Sequence, residues 1–362
     1  MGLLRLLLAL SVIGTHAGPI LGTRMLEGEI AVLCFFMISG FYMALILNEK
    51  YVGINDRPML FWGNRLLRLF PVYLVVLGVI ILALVTLGVM RGAPPAKILA
   101  FQEGVGSMPF LWQAYLVIVN FVMFGVESTY FFQSNGGQVS FTTDWLHAAT
   151  PLSNFLLIPQ SWSIGLELLF YICAPFLLRR SLPLQITFAV LSLLSRWACL
   201  TLWDLPHDPW AYRFFPNVLC FFIFGSLAYQ IYRGFNKSSY LTGKAYLIPA
   251  LFLSPFIVFY PFVTIPSRIM IMYALVFLAI PILFSHFKKS KADKFLGELS
   301  YPVYICHFFF IDLLLPFKTR LPEWSFGLVV SLISIGFSIV LVKLIDDPID
   351  RLRQRRLQVH KL

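Results

Sequence analysis

A chain of 362 residues that is 59% hydrophobic and 12% charged is not a string of ordinary soluble domains, in which about a quarter of residues are charged. Its mean hydropathy of +0.81 predicts a polytopic membrane protein. No stretch is long and polar enough for a soluble domain, so 1–362 is expected to be a single integral membrane domain. The formal net charge of +11 is clustered at Arg179-Arg180, from Arg233 to Lys244, from Lys288 to Lys294 and in the tail RLRQRRLQVHK. That distribution marks cytoplasmic connections and contact with anionic membrane lipid, and gives no reason to invoke nucleic acid.

Spanning helices need about 20 apolar residues. Segments that meet this need are 3–20, 29–48, 70–90, 162–178, 184–203, 212–232, 246–262, 268–286, 297–316 and 325–345. An eleventh apolar stretch, 109–126, is decided by charge. The connection 49–69 holds Lys50, Arg57, Arg65 and Arg68, whereas 128–161 holds no Lys or Arg. They are therefore expected on opposite sides, and 70–90 already links them. This predicts an all-α bundle of about ten spans with both termini cytoplasmic, in which 109–126 is an interfacial or re-entrant helix. The outer segment 91–161 reads either as a lid or acceptor-binding surface or as a poorly packed loop. The opening MGLLRLLLALSVIGTHAG has the outline of a signal peptide, but its charge is weak and it lacks an A-x-A site, so it is read as a retained first span.

The cysteines Cys34, Cys173, Cys199, Cys220 and Cys306 all lie in apolar runs. Their number is odd and no C-x-x-C pair occurs, which predicts buried thiols rather than a disulfide frame or zinc site. His16, Glu29, Glu167 and His307 fit no metal-ligand signature, and no metal is expected.

Ionisable groups at membrane depth are costly and are kept where they are used. His16 stands inside the first apolar segment, about 20 Å along a helix begun at Leu3, and a neutral imidazole there can accept a proton. Arg65 and Arg68 are spaced i, i+3, so they share one helix face at the mouth of the third segment. Two fixed guanidinium groups suit phosphate or carboxylate, although ordinary snorkelling anchors would have the same composition. Ser39 and Ser163 lack a nucleophile elbow and read as packing serines.

Several blocks carry a resemblance. LRLLLALSVIGTHA contributes His16, and CFFMISGFYMALIL contributes Phe35, Phe36, Ser39, Gly40 and Phe41. NRLLRLFPVY contributes Arg65, Arg68, Pro71 and Tyr73. SWSIGLELLFYICAP contributes Trp162, Ser163, Glu167, Phe170, Tyr171 and Pro175, and LGELSYPVYICHF contributes Ser300, Tyr301, Tyr304 and His307. In this order the blocks resemble the acyltransferase-3 family of membrane-bound O-acyltransferases, the polysaccharide and lipopolysaccharide O-acetyltransferase type. Asp346-Asp347-Pro348 stands where that family often has Glu before Pro.

The resemblance implies transfer of an acyl group, commonly acetyl from acetyl-CoA, to a hydroxyl of a carbohydrate or lipid-linked glycan acceptor, in a bacterial cytoplasmic membrane. It implies His16 as general base, with Glu167 or Glu29 orienting it, and Arg65 and Arg68 on the donor's phosphates. Trp162, Ser163, Tyr171, Tyr301 and His307 are expected to line the substrate path. The acyl chain, the acceptor hydroxyl and the oligomeric state are left open. The competing reading is a transporter or flippase using the same ionisable residues as a permeation path; against it, no hydropathy repeat of the inverted-repeat kind is found.

Overall fold

The computed structural model describes residues 1–51, 58–237, 248–322 and 324–359. Arg57, the first two residues of the span 246–262, the Arg233-to-Lys244 cluster from Ser238 onward, and His360 and Lys361 of the tail lie outside the described residues. Lipid offers the backbone no hydrogen-bond partners, so a chain this apolar must pair its peptide groups internally. It does so as helix, and the all-α polytopic architecture is as expected.

The ten predicted segments coincide with ten helices: α1 (Gly2–Ala17), α2 (Gly28–Glu49), α3 (Pro58–Arg91), α6 (Trp162–Leu177), α7 (Leu182–Trp197), α9 (Phe215–Lys237), α10 (Ile248–Val258), α11 (Arg268–Phe287), α12 (Lys291–Leu314) and α13 (Phe326–Leu341). The remaining helices are α4 (Ala96–Gly106), α5 (Phe110–Val122), the short α8 (His207–Trp210) and α14 (Asp347–Val359). Among the described residues seven helical stretches are long and apolar enough to cross a membrane, beginning at Gly28, Pro58, Leu182, Phe215, Arg268, Lys291 and Phe326. Two of the ten, α1 and α6, fall short of that length, whereas α7 and α13 reach it by continuing through π-helical turns, Ala198–Leu202 and Val342–Asp346. Each has 16 residues, about 24 Å of rise against a hydrocarbon core of about 30 Å. Local chemistry explains this. Gly18-Pro19 ends α1, Pro159 precedes α6 and Arg179-Arg180 follows it.

Helix α3 corrects a boundary. Residues 58–69, expected in a connection, are helical, and α3 runs 34 residues straight through Pro71. Pro71 removes one backbone donor, but residues 58–70 before it are already wound, so Arg65 and Arg68 sit on a rigid helix rather than a loop. At the other end of the chain a π-helical turn, Val342–Asp346, joins α13 to α14, with Asp347 N–H donating to the Val342 carbonyl. Pro348 has no N–H to continue the regular ladder, and the wider turn accommodates this.

The chain divides into two compact units. The first comprises Met1–Leu69, Tyr171–Val190 and Leu219–Leu362. Within it α1 lies against α12, α2, α13 and α10, and α11 packs on α2 and α10. Glycines set the closest approaches. Gly40 of α2 faces the Phe222 carbonyl of α9 and Gly225 of α9 faces the Met37 carbonyl of α2, so a methyl on either would overlap backbone that cannot move aside. Small residues at helix interfaces serve this purpose where lipid supplies no hydrophobic drive between helices. Phe36 and Phe222 stack beside them at 4.5 Å.

The second unit comprises Phe70–Phe170 and Leu191–Val218. The 91–161 segment is well packed. Val105, Met108, Leu116, Leu152 and Phe155 form a buried cluster, covered by Trp112, Tyr115 and Phe132 among others. β1 (Phe132–Asn135) and β2 (Gln138–Phe141) make an antiparallel hairpin. Buried Asn120 ties the cluster together, donating to the Leu116 and Phe155 carbonyls (2.8 and 3.0 Å) and accepting from Leu157 N–H (2.7 Å). Tyr73 of α3 donates to the Asn120 carbonyl at 2.6 Å. The 13 residues of α5 rise about 20 Å.

Candidate active site

His16 occupies the last turn of α1. Its ring stacks 5.8 Å from that of His307 and lies tilted, 4.6 Å away, against that of Phe308, both on α12. His307 is fully buried, and its Nδ1 lies 2.6 Å from the Tyr304 carbonyl. A carbonyl only accepts, so Nδ1 carries the proton and Nε2 is a bare acceptor. That Nε2 has no hydrogen-bond partner among the described residues, and an unpaired buried polar atom calls for a functional account. α2 starts at the same end of the unit: Gly28 packs on Thr15, where an added Cβ would come within 3.2 Å of Oγ1. Glu29, the next residue, therefore begins its helix beside the His16 turn.

The arginine pair lies in the same unit. Arg65 is buried, at 7% exposure, with Nε unpartnered. Among the described residues no carboxylate is within ion-pair distance of Arg65 or Arg68. Tyr171, Tyr51 and Arg68 are its electrostatic neighbours. Tyr171 accepts from Trp62 Nε1 at its carbonyl (2.9 Å), which ties the start of α3 to α6. Tyr301 on α12 donates to the Leu69 carbonyl at 2.9 Å, next to Arg68. Helix α12 therefore carries Tyr301 against the α3 backbone one residue past Arg68, and His307 beside His16. Six residues separate them, about 9 Å along the axis.

Trp162, Ser163 and Glu167 belong to the second unit. Trp162 there walls a cage that sequence reasoning missed. Arg213 is 8% exposed, and its guanidinium carbon lies 3.9 Å from the Tyr130 ring centroid and 4.3 Å from that of Trp162. Asp208 clamps its edge at 2.6 and 3.1 Å. The available signal was a charged pair within HDPWAYRFF, but Arg213 was absorbed into the predicted span 212–232, whereas the helix begins at Phe215.

Glu127 was also missed. It is the lone acid between residues 104 and 143, and its Oε2 lies against Gly165 of α6 with no hydrogen-bond partner. Burial pushes its carboxyl up to about 7. A raised carboxyl means that the folded state holds its proton longer than the unfolded chain. Folding stability should thus fall as pH rises from about 4.5 to about 7, by roughly 1–3 kcal/mol. Thermal unfolding in detergent checks this: Glu127→Gln should match the parent at pH 5 and exceed it at pH 8. Equal midpoints at both pH values would refute it.

The long apolar helices define an integral membrane protein. The chain belongs to the acyltransferase-3 family, whose model, an acyltransferase domain, matches residues 1–343. It is accordingly a membrane acyltransferase. No curated protein and no solved structure matches it.

Proposed function

We propose that the protein is an O-acyltransferase of a bacterial cytoplasmic membrane, moving acetyl from acetyl-CoA to a hydroxyl of a carbohydrate or lipid-linked glycan on the opposite face. Arg65 and Arg68, facing the cytoplasm with the basic connections, bind the donor's phosphates. The thioester arm extends along α12 toward the histidines. His16 takes the proton from the acceptor hydroxyl as its oxygen attacks the thioester carbonyl. The C–S bond breaks, the acetyl ester forms, and the coenzyme leaves as thiolate and takes up a proton. Glu29, at the same end of the first unit, is the carboxylate proposed to orient the imidazole, and Glu167, in the second unit, is proposed to bind acceptor hydroxyls. The observation that carries this reading is α12, which links the arginine pair to the stacked histidines within one unit.

The test uses purified protein in detergent with acetyl-labelled acetyl-CoA and glycan from the host's envelope. Label should pass to the glycan in an ester-linked, base-labile form, and glycans from cells lacking the gene should have lost acyl mass. Absence of both transfer and donor hydrolysis would overturn the reading and favour a carrier.

A further inference from the structure

The family match ends at residue 343, and α14 lies wholly beyond it. This helix nevertheless reaches the arginine pair. The guanidinium of Arg356 comes within 3.4 Å of where a Cβ on Gly63 of α3 would stand. Nearly one turn earlier on α14 is Arg353, whose side chain is 12% exposed and is held by Asp350 at 3.2 Å. Its Nε, like that of Arg65, is buried and has no hydrogen-bond partner. Arg353 lies within electrostatic reach of both Arg65 and Arg68. Lys50, exposed at the end of α2, has the same three arginines and Asp350 as its charged neighbours. Asp346, in the π-helical turn, faces Arg68, Glu298, Arg353 and Asp347.

Arg65, Arg68, Arg353 and Lys50 thus gather around few carboxylates, with the one direct ion pair spent on Asp350. Cations crowded and partly buried in this way repel each other unless an anion joins them. Two guanidinium Nε–H groups left without acceptors are the donors such an anion would use. Two arginines on one helix face can hold a diphosphate, which leaves Arg353 and Lys50 for a further phosphate.

We propose that α14 completes the donor site, with Arg353 and Lys50 forming a second phosphate subsite that takes the ribose phosphomonoester of coenzyme A while Arg65 and Arg68 hold its diphosphate. This rests on the reading of acyl-CoA as donor. It makes α14 a specificity element that distinguishes the coenzyme from its 3′-dephospho form.

Initial rates with acetyl-CoA and with 3′-dephospho-acetyl-CoA test it, for the parent and for Arg353→Gln, Arg353→Lys and the exposed control Arg355→Gln. The parent should show a KM about tenfold higher for the dephospho donor, at unchanged kcat, as expected for loss of one charge-assisted contact. Arg353→Gln should show that penalty with acetyl-CoA and no further loss with the dephospho donor, since the two changes remove the same interaction. Arg353→Lys should recover part of the discrimination, and Arg355→Gln should behave as the parent. Equal use of both donors by the parent would overturn the proposal even if no Arg353 variant folds. So would an Arg353→Gln defect of the same size with either donor. In both cases acetyl-CoA would remain the donor, whereas failure of the parent to use either one would sink the donor reading itself.

Discussion

Replacing His16 with alanine is expected to lower turnover about 10²–10⁴-fold, the usual contribution of a positioned general base. Donor KM should stay close to that of the parent, because the donor's phosphates are assigned to Arg65 and Arg68 on α3, whereas His16 lies in the last turn of α1 beside His307. His16 is exposed in the last turn of α1, so losing its ring should leave the helix packing intact. Folding and chemistry can thus be separated: the melting midpoint in detergent should hold while label transfer collapses. The pH profile adds a readout that a structural role would not move. The residual activity of the alanine variant should lose the pH-dependent limb that the parent shows. Activity within tenfold of the parent would remove His16 from the mechanism and leave His307, with its bare Nε2, as the remaining imidazole.

Arg213→Ala is expected to destabilise the protein by about 3–5 kcal/mol, the range for breaking a buried ion pair from one side. Both partners are largely enclosed, with side chains 9% and 11% exposed, so Asp208 would be left as an uncompensated buried carboxylate. The aromatic walls Tyr130 and Trp162 would lose the cation between them. Arg213→Lys should recover only part of the loss, since an ammonium cannot make the two-nitrogen contact with Asp208. Thermal unfolding of the single variants and the Asp208→Asn/Arg213→Ala double variant measures the coupling. A double variant no worse than either single one is the expected result. Fully additive losses would show that the pair is not the source of the stability.

Much of the architecture was legible beforehand. The ten apolar segments are ten helices because a membrane-length hydrophobic run leaves the backbone little alternative to helix. Length was less legible, since glycine, proline and arginine at the flanks cut α1 and α6 short. The start of α3 was misplaced because NRLLRL carries charge and was assigned to a connection. Helix propensity outweighs that charge: Leu and Arg are both good helix formers. Glu127 was invisible because a lone charge in an apolar run has no local pattern, and Arg213, although Asp208 lies five residues before it, was absorbed into an apolar span.

The amino-acid order alone determined that this is a membrane protein, where its apolar helices lie and, through five motif blocks, its family. Those properties are written locally, in hydropathy and in short spacings along one helix face. Only the tertiary structure decided that His16 meets His307, 291 positions later, that Arg213 sits between Tyr130 and Trp162, and that α14 folds back onto α3. Such contacts join distant parts of the chain through side-chain shape and charge, and no periodicity in either segment encodes its partner.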